Sequence, residues 1–156
     1  MGDKMPVLLC DTGPLVALSS LGLIEVLSKL YSPAVTSAVL DEWHARADRS
    51  ALPASFSVIE VKSSDPLLAV QLDRGEASVI LAAIETNCKM VLIDEQKGRK
   101  LARRIFGLQT IGTAGILVQL KQRGLIRDIK ALFSQLREQN YWIDDKIISW
   151  ALQAAP

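Results

Sequence analysis

The sequence predicts an α/β domain built on a mostly parallel sheet, and three observations carry that reading. Short aliphatic runs alternate with longer stretches of 3.6-residue periodicity between residues 7 and 122. Two of those runs are followed at once by an acid, Asp11 after VLLC and Asp94 after MVLI. The length of 156 residues, with 49% hydrophobic and 22% charged side chains, is that of one ordinary domain able to bury a core without disulfides.

Taken in order, strands are expected at 7–10, 57–61, 90–93 and 109–111, with a further short one at 33–35. Helices are expected between them at 14–21, 24–30, 37–47, 66–71, 74–86, 95–106 and 114–122. After Gly124 the pattern becomes purely helical. Ile129, Leu132, Phe133 and Leu136 form one stripe, and Ile143, Ile147, Ile148 and Leu152 another. No linker, repeat or low-complexity segment separates this tail, so 1–156 is expected to be a single domain with 125–156 a packed helical C-terminal extension.

The start of the chain lacks the apolar core and cleavage site of a secretory signal, and no apolar run reaches the roughly 18 residues of a membrane span. Cys10 and Cys88 sit in or beside apolar runs and read as small buried hydrophobes. A soluble, cytoplasmic protein with no membrane partner is the expectation. The net charge of +1 is not that of a dedicated duplex binder, so any nucleic-acid contact must come from local patches.

The acids carry the functional information. In an open parallel sheet ligands bind outside the carboxyl ends of the strands, which is where Asp11 and Asp94 fall. A helix cap or Asx turn is the competing use of each. Glu42 shares a stripe with Val35, Ala38 and Val39, whereas Asp41 is rotated by about 100 degrees toward solvent. A carboxylate on that stripe needs a partner, either an arginine or a metal. Glu76 opens the apolar helix 74–86, where Asp73 and Glu76 have the spacing of a capping box; on local grounds the cap explains it better.

Other chemistries lack their residues. The one histidine, His44, lies on the helix of Glu42 and reads as exposed or packed rather than as a general base. There is no Cys/His cluster for zinc and no Walker-type phosphate loop. Clustered carboxylates instead suit hard cations, Mg²⁺ or Mn²⁺. Glu95 is a further acid, at a helix start that favours negative charge in any case. The helix after Asp94 offers Lys97, Arg99, Lys100, Arg103 and Arg104, either a phosphate-binding row or a solvated face. Arg99 is the member placed to pair with a carboxylate or phosphate. Thr12 and Thr113 border strand ends, where a hydroxyl orients water or phosphate; for Thr113 capping is the stronger reading.

Four strings, LLCDTGPLVAL, VTSAVLDEW, LDRGEASVILAA and VLIDEQKGRK, occur in the order in which PIN-domain nucleases place their acidic motifs. The chain resembles that family over essentially its whole length. It is closest to a subgroup of VapC-type toxins, in which GEA, an IDE-x-x-GR segment and IGT-x-G-I-L recur; here these are 75–77, 93–99 and 111–117. Gly13 stands where many members carry Ser or Asn, and the third acid is Glu where many carry Asp.

The resemblance implies a three-layer α/β/α sandwich and a divalent-metal site made by Asp11, Glu42, Glu76 and Asp94 in that order. It implies a ribonuclease that hydrolyses RNA phosphodiesters, with ions held mainly by Asp11 and Asp94. It also implies a toxin–antitoxin module, with an antitoxin covering the site, and a homodimer. Trp142, Ile143 and Trp150 are available for either surface or for the core. A receiver-like signalling domain and a PIN fold without activity are the alternatives. The first wants an acidic pair after its first strand and a lysine after its last, whereas here Thr-Gly-Pro and Gly-Thr-Ala follow.

Overall fold

The computed structural model describes residues 5–46 and 51–156. Five strands, β1 (Val7–Cys10), β2 (Ser32–Thr36), β3 (Ser57–Ile59), β4 (Met90–Leu92) and β5 (Gln109–Ile111), form one sheet in the order β3-β2-β1-β4-β5. Every neighbouring pair is parallel. Helices α1 (Thr12–Ser20), α2 (Ser37–Arg46), α3 (Pro66–Gln71), α4 (Arg74–Thr86), α5 (Gln96–Arg104), α6 (Thr113–Gln122), α7 (Ile129–Glu138) and α8 (Asp145–Ala154) flank it. The architecture is the three-layer α/β/α sandwich.

A sheet covered on both faces needs strands that are apolar on both faces. β1 meets this with Leu8, Leu9 and Cys10, all fully buried. Cys10 and Cys88 are buried free thiols whose sulfurs donate to backbone carbonyls, and burial pushes the Cys10 thiol far up, so it stays neutral. Asp65, Asp73, Asp128 and Asp144 cap α3, α4, α7 and α8 by accepting from amides of the first turn.

Beside shifts of one or two residues at the ends of α1, β4, α5 and α6, the structure departs from the sequence reading in five places. Segment 24–30 forms not an α-helix but a 3₁₀ turn, Glu25–Lys29; with only Leu27 buried, it has too little apolar face to propagate. The short strand at 33–35 extends to Ser32–Thr36, because β2 pairs on both sides, with β1 and β3. β3 ends at Ile59, an edge strand with Ser57 and Val58 exposed. Val35 lies in β2, so the stripe assigned to Glu42 does not run along one helix; α2 buries Val39 and Trp43, and Glu42 flanks Trp43. The expected end of α2 at Ala47 lies outside the described residues.

The fifth departure is in the tail. α7 and α8 pack with α6 and with each other, burying Ile129, Phe133, Leu136 and Ala151. Ile143 is also buried, but it precedes α8, so its helical spacing to Ile147 is not realised and Ile147 is exposed. No helix among the described residues is long and apolar enough to cross a membrane.

Candidate functional site

The chain leaves β1 toward β2 and leaves β4 toward β5, on opposite sides of the β1–β4 pair. Connections diverge there, and a crevice opens at the carboxyl ends. Asp11 follows β1 directly, its amide donating to the Leu92 carbonyl at 2.9 Å, and Asp94 stands two residues past β4. Around them lies a cleft of about 1060 Å³ lined by seven acids: Asp11, Glu42, Asp73, Glu76, Asp94, Glu95 and, from the tail, Asp144.

Asp11 is buried and occupies the N-cap position of α1, yet its side chain makes no cap hydrogen bond. Burial first, and then the charges of Asp73, Glu42 and Asp94, push its carboxyl up from 3.8 to about 7. Asp94 does not cap the helix that follows it either, since Glu95 does so by accepting from the Gly98 amide at 2.9 Å. Its Oδ1 instead accepts from the Thr113 amide at 2.7 Å and its Oδ2 from the Thr113 hydroxyl at 2.5 Å. The Tyr141 hydroxyl donates to the same Oδ2. Asp94 thereby ties the end of β4 to the start of α6 and to the tail.

Glu42 accepts a hydrogen bond from the Thr12 hydroxyl rather than pairing with an arginine. Among the described residues the ion pairs are Arg74 with Asp41, at the surface, and Arg137 with Asp145. The capping box at α4 is half formed. Asp73 Oδ1 accepts from the Glu76 amide at 2.8 Å, but Glu76 Oε2 turns toward α5, 3.3 Å from where a Cβ on Gly98 would stand. Burial first, and then the Asp73 carboxyl, push Glu76 up to about 8.

Glycine makes this convergence possible. A Cβ on Gly75 would lie 3.0 Å from Glu42 Oε2 and 3.6 Å from Asp11 Oδ1. On Gly112 it would lie 2.6 Å from Asp94 Oδ1 and 2.7 Å from Arg99 Nη1, which no real Cβ tolerates. Gly75, Gly98 and Gly112, in the GEA, IDEQKGR and IGTAGIL strings, are thus the places where acidic side chains meet backbone.

A family model described as PIN domain matches residues 7–156, spanning the acids and the tail alike. The chain belongs to the PIN-domain family. PIN domains are in general nucleases, hydrolases that act on nucleic acid. Among curated proteins and solved structures, none matches the chain.

This PIN domain assembles more than its four predicted acids. Asp73, read from sequence only as a cap, Glu95 and Asp144 also line the cleft, as does Tyr141; sequence reasoning missed Tyr141 and Asp144. Tyr141 is 47 residues from Asp94, in a turn without periodicity, and nothing local marks it. The signal for Asp73 was its position three residues before Glu76, at a helix start facing the same edge. Thr12 and Thr113 are buried, with their hydroxyls given to Glu42 and Asp94. α6 begins at Thr113 with Gly112 at the cap position, so Thr113 is not the cap. Arg99 is half-buried and donates through Nη1 to the Ile93 carbonyl at 3.2 Å; with Lys100 and Arg103 it lines the cleft, while Lys97 and Arg104 do not. His44 is exposed.

The donor set is all oxygen, the chemistry that a hard divalent cation takes. Among the described residues no group of three His, Cys, Asp or Glu side chains encloses a metal position directly. Mg²⁺ and similar ions are commonly held by one or two carboxylates with water completing the shell, so the arrangement fits such an ion with Asp11 or Asp94 in contact and the other acids acting through water.

Proposed function

We propose that this PIN domain is a divalent-metal-dependent endoribonuclease that hydrolyses RNA phosphodiester bonds, with Asp11, Glu42, Glu76 and Asp94 holding Mg²⁺ or Mn²⁺. The observation that carries the reading is Asp11, buried among the carboxylates of Asp73, Glu42 and Asp94 with no cap to make. Burying like charges together is unfavourable, and a cation relieves it.

The bound ion would supply a water of lowered pKa and offset charge on the phosphate. Everything else falls to side chains. Thr113 and Tyr141 hold both oxygens of Asp94 in place with three hydrogen bonds, and Thr12 holds Glu42. Arg99, Lys100 and Arg103, on the cleft wall, would take the phosphates of the strand. We propose further that residues 1–156 act as one unit in the cytoplasm, as the toxin half of a toxin–antitoxin module with a cognate antitoxin and a homodimeric assembly. The sequence resemblance supports the toxin role, and the buried free thiols suit a reducing compartment.

The test is incubation of purified protein with mixed RNA and defined tRNAs in Mg²⁺, Mn²⁺ or chelator, beside Asp11→Asn and Asp94→Asn. Cleavage is expected with either ion, none in chelator, and a drop of about 100-fold or more in each variant. Metal-independent cleavage, or full activity in both variants, would sink the proposal. Absence of cleavage under every condition returns the chain to the reading as an inactive PIN fold.

A further inference from the structure

The tail wall of the cleft is left unused by that chemistry. Trp142 is 80% exposed and Trp150 51% exposed, and both line the same cleft as the acids. Trp43, by contrast, is 1% exposed in the core. The fold can bury an indole and keeps two of them in water beside its site. A large aromatic ring held out of the core at a cleft forgoes substantial burial, which marks such rings as contact surface.

What those rings contact follows from the other walls. α5 brings Arg99, Lys100 and Arg103 to the cleft, and the ends of β1 and β4 together with α2 and the start of α4 bring the acids other than Asp144. Ring faces in the same cleft as three cations match the needs of one unpaired nucleic-acid strand, whose bases are free to stack while its phosphates meet the positive charges. A base-paired duplex keeps its ring faces inside the stack and offers none to a side wall. A protein segment would use the apolar surface of the wall as a whole, including exposed Ile147, without needing π faces.

We infer that Trp142 and Trp150 are base-stacking residues that hold an unpaired substrate strand in the cleft, setting its phosphates over the acids. The inference rests on the nuclease reading and specifies how the strand is gripped. Stacking is tolerant of base identity, so the two rings give affinity for unpaired strands with little sequence preference.

The protein carries its own probe, because Trp43 is buried and changes in indole emission come from Trp142 and Trp150. The full chain is titrated with a mixed-sequence 12-nucleotide single-stranded RNA, with its duplex and with an abasic strand of equal charge, in Ca²⁺ and in chelator at low salt. Quenching by the single strand is expected, with much weaker binding of the duplex and the abasic strand. Trp142→Leu and Trp150→Leu should each raise Kd by roughly 5- to 150-fold, the factor for losing one stacked base. Trp142→Phe should recover most of that loss, and Ile147→Ala should change Kd by less than about twofold. Equal Kd for the abasic strand, for the leucine variants or for the duplex overturns the inference, as does failure of every strand to bind. Quenching by a protein partner but not by RNA assigns the wall to protein binding and overturns it too. The nuclease reading fails separately, through absence of cleavage, whatever the tryptophans do.

Discussion

Asp11 is buried with three carboxylates around it, and at neutral pH its own carboxyl stands near the midpoint of its titration, at about 7. Unfolding exposes that carboxyl and returns it to about 3.8, so between those values the folded state holds a proton that the unfolded state has lost. Stability contributed by this group therefore falls as pH rises through that window. Glu76, raised from 4.5 to about 8, extends the fall upward. In chelator the melting temperature should be higher at pH 5 than at pH 8, and Mn²⁺ at pH 8 should restore it by favouring the ionised form. Calorimetric or fluorescence melts check this, and a melting temperature that rises from pH 5 to pH 8 in chelator would contradict the placement of these acids. That Asp11 and Asp94 stand at the cleft is legible in the sequence from their position after strands. Tyr141 escaped because its contact with Asp94 is wholly tertiary.

The start of α6 is an element defined from outside itself. Gly112 occupies its cap position and supplies no side-chain cap, so Asp94 reaches across from the end of β4 to accept from the first helical amide. Gly112→Ala would put a methyl 2.6 Å from Asp94 Oδ1 and 2.7 Å from Arg99 Nη1. Displacing both groups should destabilise the protein by about 1–3 kcal/mol. Gly13→Ala in α1 meets nothing nearer than the Tyr141 hydroxyl at 3.7 Å, and should be neutral or stabilise by up to about 1 kcal/mol. Urea unfolding of the two variants checks the contrast, and equal midpoints for both would refute this account of the β4–α6 junction. Periodicity located α3 and α4 to the residue because strong caps or a proline begin them. It failed at Glu25–Lys29, where length and burial rather than pattern decide between helix types.

For the whole molecule the question is what the tail contributes. Ile129, Phe133, Leu136 and Ile143 are buried in or just after α7, within the layer that packs on α6. Burying four such side chains contributes about 6–12 kcal/mol, comparable to the entire stability of a domain. Truncation after Gly124 should therefore leave a chain without a cooperative thermal transition; a truncated protein that melts within a few degrees of the full chain would show that the tail is dispensable. Alternation of apolar runs and helical periods by itself determined the α/β class, the order of the elements and the placing of Asp11 and Asp94 at strand ends, because those depend on neighbours in the chain. Only the tertiary structure decided that β1 and β4 lie side by side, that Glu42 and Asp73 meet Asp11 at the gap left by Gly75 while Glu76 reaches Gly98, and that the tail brings Tyr141, Trp142 and Trp150 to the same cleft. Those outcomes depend on strand order and on contacts between residues far apart in sequence, which no local period encodes.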